Sequence, residues 1–276
     1  MNRRMTNWIT GLCDTNGISI HYLRTGGAKP HVVLLHGLIG SGACWSPLAR
    51  ALEDEFDVVM PDARGHGGSS APHAGYRYDD HARDVEGLIR RLELSRPVVL
   101  GHSMGGMTAA VVASRREVDI GGLILVDPTF LSPERQRDVH ESDVIEQHRR
   151  ALGLPKADLV AEARSRHPRR SLEIVELQAE ARLRTRVAAF EVLMPPNPAY
   201  RELVSALDVP SLLVIGDRDP VVTLEMASEL RDLNSHVRVE QIQDAGHGVP
   251  FEQPERLGEV VGAFLDNRRN GSRDRG

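Results

Sequence analysis

The sequence predicts an α/β fold, a mostly parallel β-sheet with helices on both faces and a helical insertion in its second half. Three observations carry this. Short apolar runs rich in Val, Ile and Leu recur along the chain, as strands covered on both faces require. Stretches with helical spacing separate them, so strand and helix alternate. The alternation lapses once, over a long polar segment dense in arginine.

Taken in order, residues 19–24 alternate apolar and polar side chains like a half-buried strand, and 31–35 form a continuous apolar run like a fully buried one. Further runs stand at 56–60, 97–100, 123–126 and 211–215, with a last candidate at 237–242. Helical spacing marks about 46–54, 79–93, 104–115, 223–231 and 254–265. Between 128 and 203 no strand stands out, and the best helix covers 171–194. There Ile174, Leu177, Ala181 and Leu183, then Val187, Phe190 and Leu193, mark one face, and Pro195-Pro196-Asn197-Pro198 stops the helix. The expected organisation is a core of 1–127 and 204–266, a helical insertion at 128–203, and a flexible tail at 267–276 with nothing to bury.

At 276 residues, 41% hydrophobic and 26% charged, the chain can build one sizeable core. It holds no run of eighteen apolar residues, and its first eight residues lack the apolar stretch of a signal peptide. A soluble, cytoplasmic protein without a membrane partner is expected. Cys13 and Cys44 define neither a disulfide framework nor a paired metal site. A formal charge of −5 argues against nucleic acid as a partner.

The chemistry centres on Gly101-His102-Ser103-Met104-Gly105, a G-x-S-x-G sequence between an apolar strand and a helix. By composition alone the pattern arises in roughly one chain in ten of this length, so its context matters more than its letters. A sharp strand-to-helix turn holds such a serine in a strained conformation at the carboxyl edge of the sheet, and small neighbours avoid clashes there. Met104 opens the following helix, so its N–H points to where negative charge would build on a tetrahedral intermediate. A second donor is expected from the loop His36-Gly37-Leu38-Ile39-Gly40, with the Leu38 N–H as candidate. A serine hydroxyl needs a base, and His247 in Asp244-Ala245-Gly246-His247-Gly248 lies late in the chain, after the last strand. For the acid that orients the histidine, Gly216-Asp217-Arg218-Asp219 offers two aspartates, and Asp127 ends the preceding strand.

His36-Gly37, Asp62-x-Arg64-Gly65-His66-Gly67-x-Ser69, the glycines around Ser103, Gly216-x-x-Asp219-x-x-Val222 and Ala245-Gly246-His247 resemble the α/β-hydrolase superfamily in content and order. The resemblance runs from about 17 to 265 apart from the insertion. It implies Ser103 as nucleophile, His247 as general base and Asp219 as the acid, the aspartate three residues after the glycine, with Asp127 and Asp217 as alternatives. It implies an acyl-enzyme, a small-molecule acyl substrate, and no metal or organic cofactor. Carboxylic-ester hydrolysis is the leading expectation. Lactone, amide or carbon–carbon cleavage by the same triad is the alternative, His102 standing where many carbon–carbon hydrolases of the family carry Asn. A small-molecule receptor is the third reading. Serine at 103 excludes the mechanism of those members that place an aspartate there.

Other reactive-looking residues have plainer readings. His36, Asp62, Arg64 and His66 sit in tight loops whose turns their side chains can hold. Trp45, Phe130 and Val249 are candidates for the substrate pocket, beside Leu38 and Met104. The insertion carries Arg164, Arg166, Arg169, Arg170, Arg182, Arg184 and Arg186 against Glu173, Glu176, Glu180 and Glu191, as a solvated helix face does. One inward guanidinium would suffice to hold a carboxylate.

Overall fold

The computed structural model describes residues 8–273; the reading of the N-terminus rests largely on residues 1–7, which lie outside that range, as do 274–276. Eight strands form one sheet: β1 (Ile9–Thr15), β2 (Ile18–Arg24), β3 (His31–Leu35), β4 (Asp57–Pro61), β5 (Val98–His102), β6 (Gly122–Val126), β7 (Ser211–Gly216) and β8 (Val237–Ile242). Their spatial order is β1-β2-β4-β3-β5-β6-β7-β8. The β1–β2 and β2–β4 pairs are antiparallel and the rest parallel.

The central strands read as continuous apolar runs because both of their faces are covered. Val33, Leu35, Val99, Leu123, Leu125, Leu213 and Ile215 pack on one side with the helices Tyr78–Arg91, Met104–Arg115 and Leu224–Leu233. Their alternates Val32, Leu34, Leu100, Ile124, Val126, Leu212 and Val214 pack on the other with Ser46–Leu52 and Pro254–Arg273. The period of two in each strand assigns every side chain to one of these layers.

β1 was not among the expected strands. Only Cys13 of its seven residues is buried, so the edge strand has no apolar pattern to announce it. The last helix also runs further than expected, through Arg273 rather than fraying from 267. Arg269 pairs with Glu55 at 2.5 Å, tying this stretch to the body of the protein. No helix among the described residues is long and apolar enough to cross a membrane.

Between β6 and β7 the chain is helical: Pro133–Glu141, Val144–Leu152, Lys156–Arg166, Leu172–Leu183 and Tyr200–Ser205, with a 3-10 stretch at Val187–Leu193. The single helix expected over 171–194 is broken after Leu183, where Arg184 leaves the helix and the Thr185 hydroxyl turns back to the Ala181 carbonyl. The segment rests on loops at the carboxyl edge of the sheet. The Arg186 N–H donates to the Gly65 carbonyl, and the Cys44 thiol faces the Leu177 carbonyl.

Candidate active site

Ser103 stands between β5 and the helix Met104–Arg115 with φ +55 and ψ −118, outside the regions ordinary residues favour. The glycines around it are required by close approach. A Cβ on Gly101 would lie 2.1 Å from the Gly105 carbonyl oxygen, and one on Gly105 would lie 2.3 Å from that of Leu35. The turn is thus packed between its own helix and the end of β3, and it holds the serine at the carboxyl edge of the sheet.

His247 meets Ser103 there. Its Nε2 lies 3.0 Å from Ser103 Oγ, and its Nδ1 lies 2.6 Å from Asp127 Oδ2. Because a carboxylate accepts, Nδ1 carries the ring proton, which leaves Nε2 to accept from the serine hydroxyl.

The acid in contact with His247 is Asp127 and not Asp219. Asp127 follows β6 with φ +38 and is fully buried. Its carboxylate also accepts from the Val221 and Val222 N–H groups at 2.9 and 2.8 Å. Those donors belong to the loop that holds Asp219, so this loop supplies hydrogen bonds to the acid instead of the acid itself. Asp219 is the left-handed residue of the turn, at φ +51, and its side chain is exposed. Asp217 caps the histidine loop, accepting from the Ala245 N–H at 3.2 Å.

The two candidate oxyanion donors flank the serine. Met104 begins its helix immediately after Ser103. The Leu38 loop is closed by the Gly40 N–H donating to the Gly37 carbonyl at 2.9 Å, and a Cβ on Gly37 would lie 3.2 Å from Ser103 Cβ. Among the described residues the Leu38 N–H donates to no backbone carbonyl or side chain. The expected pocket residues fare differently. Trp45 and Val249 are 3% and 0% exposed within the apolar layer that also holds Leu48 and Leu257, so they pack the core rather than face a ligand. Phe130, 1% exposed, stacks on Tyr200 with ring centroids 5.2 Å apart.

One residue at the site had no role in the sequence reading beyond its place in the motif. His102 Nε2 lies 2.8 Å from the His247 carbonyl oxygen, and its ring touches Phe251 edge-on. Burial, then the neighbouring His247, lower its pKa to about 3, so the ring is neutral and donates this bond. The Gly246 N–H donates to Glu252, which also holds Arg170 at 2.6 Å. The histidine loop is therefore fixed from both sides.

Behind the Leu38 loop lies a cluster of buried imidazoles. His36 accepts from the Ala63 N–H through Nε2, so its Nδ1 carries the proton and donates to the Gly37 carbonyl. His66 touches it edge-on with centroids 5.0 Å apart, and His81 is buried nearby in the helix Tyr78–Arg91. Burial lowers the pKa of His36, lowers that of His66 to about 3, and holds that of His81 well below the ordinary imidazole value. Unfolded imidazoles titrate near 6.5, so below that pH the unfolded chain takes protons that the folded chain refuses. Stability is full above about pH 6.5 and is lost as pH falls toward 3, each such histidine adding up to about 1.4 kcal/mol per pH unit. His21 runs the other way, its pKa raised by Asp62, but it is one against the three of this cluster. Thermal melts from pH 8 to 4 are expected to show Tm dropping steeply below 6.5; a Tm flat to pH 4 contradicts the neutral cluster.

Residues 30–254 match the protein family described as alpha/beta hydrolase fold. The chain is 30% identical over 267 residues to N-formylmaleamate deformylase of Pseudomonas putida, covering 93% of this chain and 96% of that protein. It is 24% identical to 2-(acetamidomethylene)succinate hydrolase of Mesorhizobium japonicum, over 94% of this chain and 96% of that protein. Among solved structures, E-2-(acetamidomethylene)succinate hydrolase superposes with a TM-score of 0.80 at 22% identity, covering 94% of this chain and all of that one, a likeness of fold.

Proposed function

The chain belongs to the α/β-hydrolase fold family and is a hydrolase, and from that premise we propose a serine mechanism in which Ser103 is the nucleophile, His247 the general base and Asp127 the orienting acid. The observation that carries this reading is the single imidazole bridging Ser103 Oγ and a buried carboxylate, at 3.0 and 2.6 Å.

Ser103 Oγ attacks the carbonyl carbon of an acyl substrate while His247 Nε2 takes the hydroxyl proton. The Leu38 and Met104 N–H groups face the oxyanion, where charge develops only in the transition state. His247 passes its proton to the leaving group, which departs and leaves an ester on Ser103. A water then gives its proton to His247 and attacks the ester, releasing the acid and restoring the serine hydroxyl. Asp127 keeps Nδ1 protonated throughout and offsets the positive charge of the imidazolium. The helical segment over the carboxyl edge acts as a cap, since ligands of open α/β sheets bind at that edge.

Carboxylic-ester hydrolysis is the leading activity. A second reading, hydrolysis of a small amide, is favoured by the two relatives, whose names place an N-formyl group and an acetamido group on the molecules they act on. The test is a p-nitrophenyl ester panel from acetate to decanoate, together with labelling by a fluorophosphonate. Turnover of the short esters and one phosphonate per chain on Ser103, both lost in Ser103→Ala, are expected. A folded wild type that neither turns over any ester nor takes the label would overturn the serine mechanism. Matched acetyl ester and anilide substrates then separate the two readings by their kcat.

A further inference from the structure

A cavity of about 250 Å³ lies between the cap and the oxyanion loop, bounded by Ile39 on one side and by Arg166, His167, Arg170 and Arg182 on the other. Ile39 follows the proposed donor Leu38 directly. Arg170 stands against the His247 loop, where a Cβ on Gly248 would lie 2.8 Å from its Nη2. The cavity is thus reached from the residue after Leu38 and from Arg170, which packs on the His247 loop, and it has the volume of a small organic group.

Its charges do not balance. Arg170 is engaged by Glu252 at 2.6 Å and Gln178 at 3.3 Å, and Arg166 by Glu162 at 2.5 Å. Burial, then Arg170 and Arg166, lower the pKa of His167 against an opposing pull from Glu252. Arg182 makes no ion pair within 4.0 Å among the described residues, and its Nε is buried with no hydrogen-bond partner. Guanidinium holds its proton in any protein environment, so this is a permanent, partly desolvated cation facing a cavity. Glu162, the carboxylate whose field reaches Arg182, is already paired with Arg166, so an anion in the cavity would supply the countercharge that Arg182 lacks. Arg182 stands in the last turn of Leu172–Leu183, where a helix dipole favours a cation, but that interaction does not account for a buried Nε without a partner.

We propose that this cavity is an anion subsite in which Arg182 binds a carboxylate carried by the substrate, so that the preferred acyl substrate is a small anion. The proposal rests on the hydrolase reading above for the identity of the ligand as substrate. A planar carboxylate matches the fork of the guanidinium, and the two engaged arginines add field without competing for the same oxygens. The subsite selects by charge at a point removed from the scissile bond, so it acts mainly on KM.

Mono-p-nitrophenyl adipate and p-nitrophenyl hexanoate share a leaving group and a chain length and differ in the terminal carboxylate. The wild type is expected to prefer the adipate ester at least about tenfold in kcat/KM, mostly through KM. Arg182→Gln is expected to erase that preference. Arg184→Gln, the same change of charge at an exposed position beside the same helix end, is expected to keep it. Adipate should also bind Ser103→Ala in calorimetry, and at least about tenfold more weakly once Arg182→Gln is added. Turnover of both esters without preference, or a parallel loss of both in Arg182→Gln, overturns the subsite while leaving the hydrolase standing. If neither ester is cleaved but adipate binds Ser103→Ala through Arg182, the serine-hydrolase reading fails and the subsite survives. If adipate neither binds nor is selected as an ester, the subsite is wrong.

Discussion

Asp127→Asn is expected to lower kcat for a short p-nitrophenyl ester by about 10⁴-fold, the cost of a triad histidine held in the wrong tautomer, while Asp219→Asn changes it less than about threefold. The carboxylate at 127 has three donors to satisfy: the Val221 and Val222 N–H groups and His247 Nδ1. An asparagine amide offers one oxygen and one NH2. With its oxygen kept on the Val222 N–H, the NH2 takes the place of Oδ2, where it faces both the Val221 N–H and His247 and can pair with the ring only through an unprotonated Nδ1. The ring then carries its proton on Nε2, directed at Ser103, and can no longer accept from it. The side chain keeps its size and shape and leaves only the Val221 N–H without its acceptor, so the variant should fold and bind substrate with KM little changed, and the loss should fall on kcat. Asp219 lies on the exposed side of its turn and reaches neither the serine nor the histidine. Steady-state kinetics on the two variants, with circular dichroism to establish folding, checks this. A severe loss in Asp219→Asn together with a mild one in Asp127→Asn would return the acid to the loop after β7.

The difference between these aspartates shows which kind of information the sequence carries. Ser103 and its glycines were legible because every constraint on the turn is local: small residues, a strand before it and a helix after it. His247 was legible from its order in the chain and its glycine loop. The acid depends on which neighbouring strand end leans toward the histidine, a matter of the parallel β6–β7 pairing that no short pattern encodes. One signal was available. Asp127 is a charged residue directly closing a wholly buried strand, a placement that is costly unless the carboxylate is fully hydrogen-bonded. Trp45 and Val249 were misplaced for a related reason. Each is close in sequence to a site loop, but the 3-10 turn Gly42–Trp45 and the short helix Val249–Glu252 direct these two side chains into the opposite layer of the core. The short cap helices escaped notice because their faces bury little, Lys156–Arg166 holding only Leu159 in the interior.

Asp84→Ala is expected to destabilise the protein by about 3–5 kcal/mol, the cost of stranding a buried cation. Arg64 and Asp84 are 4% and 6% exposed at their side chains. The guanidinium reaches the carboxylate through Nε and Nη2, each bond 2.6 Å, and donates its remaining arm to the Gly75 carbonyl. Burial raises the pKa of Asp84 more than Arg64 lowers it. Desolvation thus outweighs what Arg64 supplies to the carboxylate, and the intact pair adds little net stability. Its removal by halves is another matter, because Arg64 cannot discharge itself by losing a proton. The consequence reaches the active site. Arg64 sits in the loop where Asp62 accepts from the Gly42 and Gly68 N–H groups, and where the Gly65 carbonyl receives Arg186 of the cap. Urea denaturation distinguishes a stranded charge from a lost bond. If the charge is the cause, the double variant Arg64→Met, Asp84→Leu recovers most of the stability lost in Asp84→Ala, since neither charge is left to bury. A double variant no more stable than the single one means that this loop is held by the geometry of the bidentate bond itself, and that its charges are incidental.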